Sequence, residues 1–179
     1  MAVREEMREL IDRLRTEIGD GGAPPVFSDE ELQAALDEHA VEVRYERTTA
    51  RETRQPGTGR VVYRDHRFAR GNFASNVELL DSSYTPLETT TADHANGRWT
   101  LAASCLVVFV VGMQFDFYRA AADVFERWAN EVKGQIDVHD GRVQFSDSQL
   151  FDHMERCAKR ARRKAWPRTG RLISTDFCA

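Results

Sequence analysis

Residues 27–46 read FSDEELQAALDEHAVEVRYE, and the pattern changes its period part-way through this stretch. Ser28, followed three residues later by Glu31, matches a capping box, and the apolar residues after it recur at helical spacing. From Val41 onward apolar and charged residues alternate, as they do in a half-buried strand. The stretch therefore predicts a helix that leads directly into a strand, which is an α+β arrangement.

Three further segments carry apolar residues at helical spacing, with charged residues between them. They are residues 3–18, 114–133 and 146–165. Between the second and third helices, residues 41–111 contain short β-branched and aromatic runs separated by polar turns. We therefore predict an α+β fold that is mainly a helical bundle of about four helices, with a β insertion at residues 41–111.

A short β-hairpin is predicted before the last helix. Gly134 is expected to end the third helix, and Asp140-Gly141 is a two-residue hairpin turn signal. Alternating apolar residues on both sides of this turn would share one face of the hairpin. The hairpin would therefore span residues 135–145.

The polar stretch from residue 48 to residue 60 is predicted to be an exposed loop. It carries Arg51 and Arg54, followed by the chain breakers Pro56 and Gly57. We expect this loop to be mobile in the free subunit and to become ordered on contact with a neighbouring protein.

The composition is that of an ordinary globular chain, with a formal net charge of −4. The longest uncharged stretch, residues 101–114, is shorter than the roughly 20 residues that a membrane helix needs. The chain starts with a charged helix rather than a signal peptide. Three cysteines form no CxxC pair, which is typical of free thiols in a reducing compartment. We therefore expect no membrane partner.

Motifs that carry chemistry are absent from the sequence: there is no GxGxxG, no P-loop, no HExxH and no GxSxG. His153 and Cys157 lie four residues apart, but a core thiol beside a solvated histidine explains them better than a metal site. Asp137, His139 and Asp140 are explained equally well by a polar turn. We therefore expect no enzyme activity, no metal and no cofactor.

Positive charge is concentrated near the C-terminal end of the chain. The residues expected to steer a partner electrostatically are all basic and uninterrupted by acids: Arg156, Lys159, Arg160, Arg162, Arg163 and Lys164. The tail that follows has no helical pattern, and its expected partner-binding residues are apolar or cationic: Trp166, Arg168, Arg171, Leu172, Ile173 and Phe177. Because the chain as a whole is acidic, an acidic groove on a protein fits this segment better than nucleic acid.

The order of the elements carries a resemblance. The second helix reads FSDEELQAALDEH at 27–39 and the third reads FDFYRAAADVFERWA at 115–129, and the Asp-Gly turn then precedes SDSQ at 146–149. Over nearly the full chain this resembles the head–tail connector (adaptor) proteins of long-tailed double-stranded DNA bacteriophages. The resemblance implies a single connector domain at residues 1–165 and an extended docking tail at 166–179.

The resemblance also implies a function. The chain would be a structural virion protein of the phage neck, assembled in the bacterial host cytoplasm as a homo-oligomeric ring of about twelve copies. The ring would join the portal protein to the stopper or tail protein, and genomic DNA would pass through its lumen without sequence-specific binding. Two alternatives stay open: a small DNA-binding regulatory protein that uses the basic last helix, and another neck component such as a stopper or tail-completion protein.

Overall fold

The computed structural model describes residues 2–138 and 145–167, and for residues 134–138 and 145–148 it describes the backbone alone. The helices are α1 (Arg8–Ile18, preceded by a 3-10 turn at Glu5–Met7), α2 (Asp29–Asp37), α3 (Phe117–Val138) and α4 (Phe145–Lys164). The strands are β1 (Ala40–Arg47), β2 (Thr49–Arg54), β3 (Val61–Arg67), β4 (Glu78–Leu80), β5 (Thr89–Asp93), β6 (Arg98–Leu101) and β7 (Phe109–Phe115). None of the described helices is both long and apolar enough to cross a membrane.

The prediction of a mainly helical bundle is wrong. The chain is an α+β protein in which seven strands, all described between α2 and α3, form two antiparallel sheets with the orders β1-β7-β4 and β2-β3-β6-β5. The strand content was underestimated because several strands face solvent on both sides. All five residues of β5 are exposed, so this strand has no apolar alternation by which a sequence pattern could reveal it.

The hairpin predicted at residues 135–145 is wrong as well, since residues 135–138 continue α3 and Phe145 already belongs to α4. Gly134 lies inside α3 and does not end it, at a cost of only about 1 kcal/mol relative to alanine. The predicted turn at Asp140-Gly141 lies outside the described residues.

The four helices share one hydrophobic core, built mainly from leucines of α1 and α2 and from alanines of α3 and α4. The capping box that starts α2 is confirmed. The Glu31 amide donates to Ser28 Oγ at 3.3 Å, and the Ser28 amide donates to a Glu31 carboxylate oxygen at 2.8 Å. At the end of α1, Gly19 adopts a left-handed conformation with φ of 75° and closes the helix.

The strands enclose a second core, which we call the β core: Val43, Phe68, Phe73, Leu79, Trp99, Leu101, Val108 and Val110. We call the seven strands and their connections the β lobe, and the four helices the helical lobe. The chain enters the β lobe on β1 and leaves it on β7, and these two strands pair, with Ala40 opposite Phe115. A single buried residue, Thr48, separates β1 from β2 and carries the chain from one sheet to the other. Its amide donates to the carbonyl oxygen of Val108 at 2.9 Å, which fixes this transition.

Asp116 holds the junction between the two lobes. Its own amide donates to the carbonyl oxygen of His39 at 3.0 Å, and His39 lies in the short link between α2 and β1. One carboxylate oxygen accepts the Arg119 amide at 3.3 Å and caps α3, and the other accepts the Trp166 amide at 3.0 Å. The end of α4 is therefore fixed beside the start of α3.

Candidate interaction surfaces

The basic residues predicted to steer a partner fall into two groups on α4. Arg162 binds Glu126 of α3 at 2.5 Å, and Lys164 lies 3.4 Å from Glu17 of α1. Lys159 pairs with the carboxylate one turn before it at 2.8 Å. All three side chains are exposed, and a carboxylate of the same subunit offsets part of the charge of each, so they present less charge to a partner than an unpaired arginine does.

Arg156, Arg160 and Arg163 form the second group, which we call the arginine stripe. They are four and three residues apart, so they lie along one side of α4, and all three are exposed. Arg160 and Arg163 form no hydrogen bond or ion pair with any described residue, and Arg156 donates to the carbonyl oxygen of Asp152 at 3.1 Å. The stripe therefore keeps its charge available to a partner.

Trp166, the first residue of the predicted docking tail, packs against its own fold. The ring is half-buried, and the Arg70 guanidinium lies 4.9 Å from its centroid in a cation–π contact. The amide bond to Asp116 anchors the same residue. The other predicted tail residues lie outside the described part of the chain: Arg168, Arg171, Leu172, Ile173 and Phe177.

A groove of about 620 Å³ runs beside β1, next to Trp166. Val41 and Val43 line it together with Phe68, so part of the groove is apolar. Its polar lining includes Arg70 and carboxylates of both lobes. Because both signs of charge line it, the groove favours no single class of ionic ligand.

The predicted contact loop is largely a β-hairpin. Thr49–Arg54 form strand β2, so the loop prediction is wrong for this part, and only residues 55–60 connect β2 to β3. The expected mobility of this region stays a prediction. The predicted contact residues lie on β2 and at the hairpin tip: Arg51 and Arg54 on the strand, Pro56 and Gly57 in the connection.

A larger groove, of about 950 Å³, lies on the β2-β3-β6-β5 sheet. The strand register places Arg51 opposite Asp65 and Arg67 opposite Arg98, so these side chains share one face of the sheet. Asp65 accepts a hydrogen bond from the Thr100 hydroxyl at 3.0 Å. Sequence reasoning missed Arg67 and Arg98 as site residues because the register that joins them to Arg51 is a tertiary feature.

Burial shifts the pKa of two histidines of the β lobe, His66 and His94. His66 Nε2 lies 2.9 Å from the Cys105 carbonyl oxygen and its Nδ1 lies 2.9 Å from Thr48 Oγ1. Burial lowers the pKa of His66, and the backbone of Tyr63 and Cys105 opposes this shift only in part. Burial also lowers the pKa of His94, whose Nδ1 has no hydrogen-bond partner among the described residues.

One cluster has donor atoms suited to a metal ion. Oxygen or nitrogen atoms of Glu38, His39 and Asp123 lie within 4.8 Å of one another. However, His39 Nε2 already lies 2.6 Å from Asp123, and Arg127 donates to both Glu38 oxygens at 3.0 and 3.1 Å. A guanidinium bound to one of the three donors disfavours a cation, so the cluster acts as an ion-pair network that joins α2 to α3.

His153 and Cys157, the pair considered above as a possible metal site, lie close together on α4. His153 Nε2 lies 3.5 Å from Cys157 Sγ. No other histidine, cysteine or carboxylate of the described chain joins them in a group of potential ligands.

No family model, curated protein or solved structure was found to match this chain.

Proposed function

We propose that this chain is a structural subunit of a phage neck, an adaptor that assembles into a ring and joins the portal to the stopper or tail protein. The observation that carries the proposal is the arginine stripe of α4. It faces solvent, keeps its charge, and ends beside the point where the chain continues past Pro167. A cationic helix face followed by a tail rich in arginine and large apolar residues suits docking onto an acidic protein surface.

A second observation supports ring assembly. A closed head-to-tail ring needs two different faces on each subunit that are complementary to each other. Glu5, Glu9 and Asp12 are exposed and spaced by four and three residues along the first helical segment. Glu5 lies in the 3-10 turn before α1 and Glu9 and Asp12 lie on one side of α1, so the helical lobe carries an acidic patch besides the arginine stripe.

Co-expression with the portal protein encoded in the same genome tests the proposal. We expect the two proteins to co-purify, and the mass of the complex to give about twelve copies of this chain. The variant R160E/R163E should lose portal binding, because it reverses the charge of the stripe. The matched control R64E/R98E reverses two exposed arginines of the β lobe outside the predicted contact loop and should still bind the portal.

Two results would overturn the adaptor proposal. One is a stable twofold dimer that does not bind the portal under any salt condition. The other is equal portal binding by the wild type and R160E/R163E with both proteins folded, as judged by circular dichroism.

A further inference from the structure

The hairpin made of β2 and β3 is the most basic part of the β lobe. Residues 47–67, which we call the arm, contain six arginines and two acidic residues, a formal charge of +4 in a chain whose net charge is −4. The six are Arg47, Arg51, Arg54, Arg60, Arg64 and Arg67. All six are exposed, and none forms an ion pair with a described residue.

The arm extends away from the body of the sheet. β3 pairs with β6 only through Asp65–Arg67, and its last further contact with the body is at Tyr63, which bonds to Ser104 and Cys105 at 2.9 Å. Beyond Tyr63 the two strands pair only with each other. Every residue from 51 to 60 is exposed. The result is a two-stranded basic ribbon, a shape that the major groove of DNA admits.

The base of the arm continues into the groove on the sheet. Arg51 and Arg67 line this groove together with Arg98, so three guanidinium groups face the same space. Two carboxylates, Asp65 and Asp93, line the same groove, so three arginines and two aspartates leave its lining a formal charge of +1. Planar guanidinium groups are well suited to bidentate hydrogen bonding with phosphate oxygens.

The composition of the arm distinguishes among its anionic partners. Its exposed tip, residues 51–60, includes no aromatic and no large aliphatic side chain, and Val61 and Tyr63 lie nearer its base. A protein partner would find no apolar anchor of the kind that dominates protein–protein binding energy. Single-stranded nucleic acid would find no ring on which to stack a base. The phosphate backbone of a duplex, by contrast, is bound largely through charge.

We propose that the arm and the groove at its base bind the phosphate backbone of double-stranded DNA without reading its sequence. The arginines would replace counterions along the duplex, and the ribbon would follow one groove. This inference does not rest on the adaptor proposal, because a single free subunit carries the whole site. In an assembled ring the same arms would be a contact to DNA in the channel.

Fluorescence anisotropy with a labelled duplex tests the proposal on the full chain. We expect binding at about 50 mM salt that weakens steeply as salt is raised, with a slope of about 0.9 per phosphate neutralised. The variant R51Q/R54Q/R60Q should raise the dissociation constant on the order of tenfold or more and flatten the salt slope. The variant R51K/R54K/R60K keeps the charge and should stay close to the wild type.

The matched control is R156Q/R160Q/R163Q, which removes equal charge from the arginine stripe and should bind the duplex almost as the wild type does. The proposal fails if the wild type does not bind at low salt, or if this control loses as much affinity as the arm variant. It also fails if polyglutamate at equal charge concentration competes as well as unlabelled duplex, since the arm would then select acidic polypeptide. Portal binding by R160E/R163E is a separate readout, so failure here leaves the adaptor proposal intact.

Discussion

At the residue scale, what the sequence predicted well was local. The capping box of Ser28 and Glu31 depends on two residues three positions apart, and the structure forms both of its hydrogen bonds. The roles of His66 and Asp116 were not predictable in this way. Their partners, such as Cys105 for His66 and Trp166 for Asp116, are separated from them by many positions and meet only in the folded chain.

His66 makes a pH dependence of stability predictable. Its folded-state pKa lies below that of the unfolded chain, so between the two values the unfolded chain binds a proton that the folded chain does not. The free energy of unfolding should therefore be highest above pH about 6.5, the unfolded value, and should fall as the pH drops below it. Urea unfolding at neutral pH and at pH about 5.5, where most carboxylates stay ionised, measures this change.

The variant H66Q should make stability less dependent on pH, since glutamine can still donate to the Cys105 carbonyl but does not titrate. His94 would retain part of the dependence, because burial lowers its pKa too. If the unfolding free energy of H66Q changed with pH as much as that of the wild type, His66 would not titrate differently in the folded and unfolded states.

At the scale of elements, patterns with a buried face were predictable and exposed strands were not. β6 lies within the predicted β insertion at residues 41–111 and β7 begins there, and both strands contain buried apolar residues. The sequence does not predict β5 and predicts a loop at β2, because none of the residues in either strand is fully buried. The end of α3 was misplaced for a different reason, since Gly134 and the later alternation imitate a helix stop followed by a strand.

The base of the β lobe depends on a close crossing of two backbone segments. The Asn72 amide donates to the Ala95 carbonyl oxygen at 3.0 Å, and the Phe68 amide donates to the Gly97 carbonyl oxygen at 2.9 Å. A Cβ at Gly71 would overlap the carbonyl group of Ala95. The variant G71A should therefore destabilise the protein by about 1–3 kcal/mol, the usual range for overpacking.

Chemical denaturation of G71A against G21A measures this effect, because a Cβ at Gly21 would meet nothing within 4 Å. G21A should change stability by no more than about 0.5 kcal/mol. Equal stability of the two variants would mean that the segments at the base can move apart without cost.

At the scale of the whole molecule, the fold is two cores joined through the β1–β7 pair and Asp116. The resemblance to adaptors rested on the helices, whose amphipathic patterns are readable in sequence, whereas the second core is assembled from short strands far apart in the chain. The structure also gives the first residue of the predicted tail contacts within the fold. Trp166 and its contacts to Arg70 and Asp116 belong to the folded body.

This placement sharpens the expected result of removing the tail. Truncation after Pro167 removes Arg168, Arg171 and the apolar residues beyond them, but keeps Trp166 in place. We expect the helical content to be kept, because α4 already ends at Lys164. On the adaptor proposal, attachment to portal-bearing heads should be abolished.

Truncation after Ala165 is the matched comparison. It also removes the Trp166 ring and its amide bond to the Asp116 carboxylate, so it should lower stability by about 1–3 kcal/mol. The two truncations therefore separate a binding role of the tail from a structural role of Trp166. If the chain that ends at Pro167 still attaches to heads with unchanged affinity, the tail is a passive extension, and the arginine stripe must account for docking by itself.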